Sequence, residues 1–341
     1  MFKLKMQKKV QPGLMKIRFT FFTFFFLFIL VSCTEDVTDS EVHTQKEAVK
    51  TPEFNADSAY HYIQKQVDFG PRVPNTLAHK ETAEYLSSKL KQFGAEVIVQ
   101  EAIVQAFDGT SLEMKNIIGQ FQPEKKRRIL LYAHWDTRPF ADKDSERTTE
   151  PIDGANDGGS GVGVLLEIAR QLSLQPADHG IDIIFFDTED YGAPEWEEDD
   201  GNYLDWCLGS QYWAKNKHLR NYRAKYGILL DMVGAKDAVF NKEGTSMALA
   251  PNVVRKIWNT ASRLGYEAYF KNNVTPQTID DNLFVSQLGG IPSANIVHYH
   301  TETLPMGYGA FHHTHKDNMS IIDTSTLKAV GQTVMEVIYQ E

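Results

Sequence analysis

Residues 129–136 read ILLYAHWD, and residues 181–190 read IDIIFFDTED. In both stretches a short, mainly apolar run is followed at once by acidic residues, and the first also contains a histidine. Apolar runs of this length suit strands that are buried on both faces, as in a sheet covered by helices. Residues 228–230 and 294–297 are also mainly apolar. These four runs predict the strands of one central sheet.

Helical periodicity fills the intervals between the predicted strands. The apolar stretch 162–172 lies between the first two, and alternating segments at 97–106 and 114–121 predict two earlier strands. Further helices are expected at about residues 57–67, 78–93, 253–264, 283–288 and 327–338. This alternation predicts an α/β fold, a three-layer sandwich with a central mixed, mainly parallel β-sheet flanked by helices.

The first 33 residues have the pattern of an export signal. Six Lys and Arg residues precede an apolar run over residues 19–31, which is shorter than the ~20 residues that a membrane span needs. The run ends in Leu30-Val-Ser-Cys33, which resembles a bacterial lipoprotein signal with Cys33 as the lipidated residue. The alternatives are a plain cleaved signal and a single membrane anchor. We expect an exported protein, lipid-anchored at the periplasmic or outer surface of a bacterial membrane.

The remaining chain is expected to contain a polar tether at residues 34–52 and a single α/β domain at residues 53–341. The formal net charge is −10, and residues 1–33 hold six basic and no acidic residues, so the rest is more acidic still. An acidic surface disfavours nucleic acid and anionic lipid, so we expect no nucleic-acid partner and membrane association through the lipid alone. Cys207 then has no disulfide partner and is expected to be a small buried apolar side chain.

Carboxylates and histidines follow three of the predicted strands directly. They are His134 and Asp136 after 129–133, Asp187, Glu189 and Asp190 after 181–186, and Asp231 after 228–230. The carboxyl ends of parallel strands meet at one edge of the sheet, where open α/β folds bind ligands. Negative charges gathered there are unfavourable unless a cation compensates them.

Two loops supply further candidates. The glycine-rich segment 154–161 (GANDGGSG) allows a tight turn that brings Asp157 near the strand ends, and His312-His313 follows the last predicted strand. Taken singly, Asp157 is more simply a turn former, Asp231 a helix cap or a buried hydrogen-bonded group, and the histidine pair a solvated loop. Taken together at corresponding strand ends, these carboxylates and imidazoles predict a metal site, and donors without thiolate suit a zinc ion with an open position.

Five motifs resemble, in order, those of the zinc aminopeptidases and glutaminyl cyclases. They are His134-x-Asp136, Ala155-Asn156-Asp157-Gly-Gly-Ser-Gly, Phe186-Asp-Thr-Glu189-Asp190, Leu230-Asp231-Met-Val-Gly and His313-Thr314. The resemblance covers roughly residues 57–341. It implies a zinc-dependent catalytic domain in which Asp157, Asp190 and His313 hold one zinc and Glu189 is the general acid/base. The family usually has Glu-Glu where this chain has Glu189-Asp190, so the ligand position carries the shorter acid.

The resemblance leaves two activities open. In the aminopeptidases the residues at His134, Asp157 and Asp231 hold a second metal. In the cyclases an extra acid, at the position of Asp280, hydrogen-bonds the residue at Asp231 and relays protons, whereas aminopeptidases have serine there. The plain structural interpretation of Asp280 is a helix N-cap, and Asn282 departs from the histidine of both branches.

Wider similarity, including Cys207-Leu-Gly-Ser-Gln-Tyr-Trp213, is with bacterial glutaminyl cyclases of the animal-type fold. The expected function is therefore conversion of the N-terminal glutamine of peptides or proteins to pyroglutamate with release of ammonia, using one zinc per chain. The alternatives are a two-metal zinc aminopeptidase and a non-catalytic binding protein, which the intact Glu189 disfavours. The resemblance implies that Trp196, Ile279 and His312 line the substrate pocket.

Overall fold

The structure is a computed structural model that describes residues 50–197, 201–301 and 307–341. The predicted signal, Cys33 and most of the predicted tether lie outside these residues and stay predictions. The described residues form one compact unit. None of the helices in the described part has the length and apolar character of a membrane span.

The described residues contain eight strands and eight α-helices. The strands are β1 (Glu96–Gln105), β2 (Ser111–Phe121), β3 (Arg128–His134), β4 (Gly180–Phe186), β5 (Gly227–Asp231), β6 (Phe240–Lys242), β7 (Phe270–Val274) and β8 (Ser293–Val297). The helices are α1 (Ala56–Val67), α2 (Leu77–Gln92), α3 (Gly159–Leu174), α4 (Leu208–Lys215), α5 (Gly244–Leu249), α6 (Pro251–Arg263), α7 (Asp281–Gln287) and α8 (Thr324–Tyr339). The sequence did not predict β6, β7, α4 and α5, because short elements carry too few residues for a periodic pattern.

The main sheet has the strand order β1-β2-β4-β3-β5-β8. Strands β4, β3, β5 and β8 run parallel, and β1 and β2 add two antiparallel pairings at one edge. The predicted mixed, mainly parallel sheet is thus confirmed. Strands β6 and β7 form a separate parallel pair.

Two buried clusters cover the two faces of the sheet. Alternate residues of one strand point to opposite faces, and in β3 Leu131 joins one cluster while Tyr132 joins the other. The first cluster includes α1, α3, α6 and α8, and the second includes Trp213 of α4 and Val285 of α7. Helices therefore flank the sheet on both sides, as the sequence predicts.

Glycines bring the loop before α3 close to the strand ends. Gly158 has φ +83°, and a Cβ there would lie 2.5 Å from the backbone oxygen of Asp136. A Cβ on Gly161 would lie 2.2 Å from the backbone oxygen of Leu230. Since real Cβ atoms do not approach so closely, only glycine allows this contact of α3 with β5. The result places Asp157 beside the ends of β3 and β5.

Candidate active site

Most of the predicted site residues line one cavity of about 220 Å³ at the carboxyl edge of the parallel strands. Its lining includes the predicted residues Asp157, Glu189, Asp190, Asp231, Ile279, Asp280, His312 and His313, together with Lys143, Trp206, Met232 and Tyr308. His134 is buried at the end of β3 and contacts three of the lining carboxylates. The structure thus gathers residues that are more than 150 positions apart in sequence.

All three predicted zinc ligands line this cavity. The Nε2 atom of His313 lies 3.2 Å from Oδ1 of Asp190 and 4.0 Å from Oδ2 of Asp157. Among the described residues, neither Oδ2 of Asp157 nor Oδ2 of Asp190 has a hydrogen-bond partner, although both atoms are buried. Burial raises the pKa of Asp190, and the charge of Asp157 raises it further. Two buried carboxylates with unused oxygens beside an imidazole nitrogen fit a divalent cation.

His312 offers a competing ligand. One donor atom each of Asp157, His312 and His313 lie within 4.8 Å of one another. The His312 ring stacks on His313 with ring centroids 3.7 Å apart, and its Nδ1 lies 2.8 Å from the Lys143 ammonium. A positive ammonium group beside this imidazole disfavours a cation at the same ring. The charge pattern therefore favours Asp190 over His312 as the third ligand.

His134 lies in a second cluster with Asp157 and Asp231. Its Nε2 lies 3.1 Å from Asp157 Oδ1 and 3.3 Å from Asp231 Oδ1, and its Nδ1 lies 3.8 Å from Glu189 Oε2. Burial alone lowers the pKa of His134, but hydrogen bonds with Asp136, Asp157 and Asp231 raise it well above its ordinary value. Donor atoms of His134, Asp157 and Asp231 all lie within 4.8 Å, so this cluster could also hold a metal.

Glu189 follows β4 and faces the same cavity. Its backbone N–H donates to Asp136 Oδ1 at 3.1 Å, and the N–H of Asp190 donates to Asp136 Oδ2 at 3.2 Å. One carboxylate therefore fixes the backbone of both neighbouring acids. Burial raises the pKa of Glu189 well above its ordinary value, and among the charges near it His134 opposes this shift while Asp190 adds to it.

The Cys207 thiol is buried, as predicted, but it is not only an apolar side chain. Its Sγ–H donates to Oε1 of Glu189 at 3.3 Å. Burial, together with the charge of Glu189, raises the pKa of this thiol well above its ordinary value. The thiol therefore remains protonated and can act as a hydrogen-bond donor to the carboxylate.

Asp280 is a helix N-cap, as its plain structural interpretation predicts, while its hydrogen bond to Asp231 and its proton relay stay predictions. It is the N-cap of α7, where it accepts a hydrogen bond from the N–H of Asp281 at 2.6 Å. Its other oxygen accepts from the side chain of Asn295 at 2.6 Å. Burial and then the charge of Asp231 raise the pKa of Asp280 well above its ordinary value. Oxygens of Asp280 and Glu189 lie within 4.8 Å of each other, so the cap also faces the predicted general acid/base.

Asn282, which departs from the family pattern, has a structural role. Its Nδ2 donates to Ser246 Oγ at 3.0 Å and to Glu243 Oε2 at 3.3 Å. The buried Glu243 carboxylate also accepts from the N–H of Thr278 at 3.0 Å. These bonds fix both sides of the segment that carries Ile279 and Asp280.

The aromatic wall of the cavity differs from the prediction. Trp206 lines the cavity and stacks parallel to His313, with an interplanar angle of 9°. Trp196 does not line it. Its ring is 48% exposed and packs against Phe140 instead. The prediction chose the wrong tryptophan, because the path of the chain after Asp190 cannot be inferred from sequence spacing.

A second cleft of about 580 Å³ adjoins the cavity and shares Trp206, Ile279 and His313 with it. Its other walls carry Glu195, Glu197 and Tyr203. A ligand whose first residue fills the cavity therefore has room for the residues that follow.

Four non-glycine residues around the site have positive φ angles. They are Thr188, Cys207, Met232 and His313, with φ between 48° and 58°. His313 is a predicted ligand, and Thr188 and Met232 each adjoin a site residue in sequence. Cys207 contacts Glu189. Left-handed backbone is costly for such side chains and concentrates at functional sites, where the surroundings hold it in place. Four of the nine such residues in the described part of the chain therefore lie in or beside this site.

Sequence reasoning did not assign roles to Asp136 and Asp317. Asp317 is fully buried and accepts from the N–H of Asn156 at 2.7 Å and from the N–H of Asp157 at 2.9 Å. It therefore fixes the loop that presents Asp157. Its only signal in the sequence is its place four residues after His313.

Comparisons with known proteins agree with this geometry. Residues 116–338 match peptidase family M28. A Zn-dependent exopeptidase from Parabacteroides distasonis is 54% identical, with a TM-score of 0.83, over 86% of this chain and 100% of that one. A glutaminyl cyclase from Bacteroides thetaiotaomicron, solved with N-acetylhistamine, is 51% identical with the same TM-score and coverage. Aminopeptidase YwaD of Bacillus subtilis is 26% identical over 87% of this chain. This chain spans only 60% of the length of YwaD.

Proposed function

The chain belongs to peptidase family M28, and we propose that within this family it is a glutaminyl-peptide cyclotransferase. The observation that carries the proposal is the position of Asp280. This buried carboxylate lies within 4.8 Å of Glu189 in the cavity, and the charge of Asp231 acts on it. Glu189 and Asp280 are two acids outside the proposed ligand set, so that one can transfer the proton between the two nitrogens while the other stabilises the leaving nitrogen.

We propose that Asp157, Asp190 and His313 hold one zinc ion per chain. Two carboxylates balance the charge of the dication, and the two unpartnered oxygens together with His313 Nε2 supply the donor atoms. A zinc ion bound there supplies Lewis-acid polarisation of the substrate's γ-carbonyl group.

Replacing Asp190 by alanine is expected to weaken zinc binding by more than the ~10–100-fold that loss of a supporting residue causes. Replacing His312 by alanine is expected to leave zinc affinity near that of the wild type, because His312 is not a ligand in this proposal. Chelator competition on the two apoproteins measures both. The opposite order of effects would assign the third ligand to His312.

The reaction is an intramolecular acyl transfer. The α-amino nitrogen of the N-terminal glutamine attacks its own γ-carbonyl carbon, a C–N bond forms, and the bond to the amide nitrogen breaks to release ammonia. Glu189 takes a proton from the attacking amine and returns one to the leaving nitrogen. Asp280, beside Asp231, stabilises the leaving amide as it gains charge. The cavity holds the glutamine folded on itself, and the rest of the peptide continues into the adjoining cleft.

The second candidate function is a two-metal aminopeptidase. It is favoured by the cluster of His134, Asp157 and Asp231, whose donor atoms lie within 4.8 Å, and by the similarity to aminopeptidase YwaD. In that case two zinc ions per chain are expected, with water as the nucleophile.

A product assay separates the two candidates. Purified protein is incubated with a Gln-Ala peptide and with a Leu-Ala peptide. The expected result is ammonia and loss of the mass of one ammonia from the glutamine peptide, with the leucine peptide unchanged. Free leucine or free glutamine would instead assign the chain to the aminopeptidases, and neither product from a zinc-loaded protein would overturn both candidates.

A further inference from the structure

Asp142 contacts the ring nitrogen of His313 that points away from the cavity. The His313 Nδ1 atom lies 3.3 Å from Asp142 Oδ1, and the Asp142 side chain is only 1% exposed. The other ring nitrogen, Nε2, faces Asp190 and Asp157. The imidazole therefore lies between a buried carboxylate on one side and the proposed ligands on the other.

Lys143, the residue after Asp142, restrains the backbone of His313. The N–H of Lys143 donates to the backbone oxygen of His313 at 3.2 Å, and His313 has a φ of 58°. Two consecutive residues thus restrain both the ring and the main chain of a residue whose backbone conformation is unfavourable by itself.

Arg138 holds Asp142 in place and uses all of its hydrogen-bond donors. Its Nε and Nη2 donate to the two oxygens of Asp142 at 2.8 and 2.5 Å. Nη1 donates to the backbone oxygens of Asp190 and Gly192, and Nη2 also donates to that of Ala193. These five bonds equal the five N–H groups of a guanidinium.

The same guanidinium lies 4.7 Å from the centre of the Trp206 ring, which in turn stacks on His313. Arg138 therefore touches three parts of the site: the carboxylate behind His313, the main chain of Asp190 and the aromatic wall. Lysine cannot reproduce this, because a single ammonium group has no planar fork of donors.

We propose that Asp142 and Arg138 are positioning residues for the metal. Asp142 accepts the Nδ1 proton of His313 and so selects the tautomer whose lone pair on Nε2 faces the cavity. Arg138 keeps Asp142 in that position and, through the backbone of Asp190, sets the second ligand relative to the first. The inference rests on the ligand set proposed above, but not on which peptide the enzyme accepts.

The chain contains a matched control two residues away. Asp144 forms the same kind of contact with His315, with 2.8 Å between Oδ2 and Nδ1, and it also accepts from the N–H of His315. Both partners are 19% exposed, and His315 is outside the proposed ligand set. Asp142→Asn and Asp144→Asn therefore make the same chemical change in two carboxylate–histidine pairs, of which only one faces the proposed metal site.

The test is zinc affinity, measured by chelator competition on apoprotein whose cooperative melting shows that it is folded. Asp142→Asn is expected to weaken zinc binding ~10–100-fold, whereas Asp144→Asn is expected to bind zinc like the wild type. Arg138→Lys is expected to weaken binding as well, and it provides a second measurement if Asp142→Asn does not fold.

Three outcomes decide the inference. Wild-type zinc affinity in folded Asp142→Asn would overturn it for Asp142, and wild-type affinity in Arg138→Lys would overturn it for Arg138. Equal losses in Asp142→Asn and Asp144→Asn would show a general effect on the loops and would also overturn it. A wild-type chain that binds no zinc would instead overturn the ligand assignment, and the peptide assay tests the cyclase activity separately.

Discussion

Replacing Glu189 by glutamine is expected to lower turnover of a Gln-Ala peptide by about a hundred- to ten-thousandfold, the range for loss of a general acid/base. Glutamine has nearly the same shape as glutamate and can still accept the hydrogen bond from Cys207, which lies 3.3 Å from Oε1. What is lost is the ability to take up and return a proton. The measurement is kcat for ammonia release, with zinc content determined on the same sample.

The zinc content of Glu189→Gln is expected to equal that of the wild type, because Glu189 is outside the proposed ligand set. Glu197→Gln is the matched control, since it makes the same change on an exposed carboxylate of the adjoining cleft, and it is expected to keep kcat within about threefold. Glu189→Gln with wild-type turnover would remove the acid/base assignment. Loss of zinc together with turnover would make Glu189 a ligand instead.

Much of the fold could be predicted because the buried strands are also the most apolar segments. Strands β3, β4, β5 and β8 each follow from a short apolar run, and their parallel pairing places the acids that end them at one edge. The glycines before α3 predicted the close approach that brings Asp157 to that edge. Local composition determines these features, so they could be predicted from the sequence alone.

The parts that could not be predicted depend on contacts between distant segments. Asp142 and His313 are 171 residues apart, and Asp317 reaches back to the N–H of Asp157 across 160 residues. No local pattern marks such carboxylates as different from solvated ones. The presence of Trp206, rather than Trp196, in the cavity wall could not be predicted for the same reason. It depends on the path of the chain between Asp190 and α4.

The role of Asp280 as a cap complicates any test of its proposed role in catalysis. An alanine there removes the N-cap of α7, which costs ~1 kcal/mol of stability, and it removes the acid in the same step. Asparagine separates the two effects, because its side-chain oxygen can still accept from the N–H of Asp281. The new amide also has a partner available, since Oδ1 of Asn295 is buried without a hydrogen-bond partner among the described residues and a rotated Asn295 amide can accept from it.

Asp280→Asn is therefore expected to fold with nearly wild-type stability and to lose about a hundredfold or more in kcat for cyclisation. The loss follows because a neutral amide cannot stabilise the leaving nitrogen, as it gains charge, in the way that a carboxylate does. Asp281→Asn changes the neighbouring buried acid of α7, which does not line the cavity, and is the control for a general effect of charge on this helix. Thermal melting checks the fold, and ammonia release from a Gln-Ala peptide checks the chemistry. If Asp280→Asn cyclises as fast as the wild type, Asp280 is a helix cap alone, and the observation that favours the cyclase over the aminopeptidase is lost.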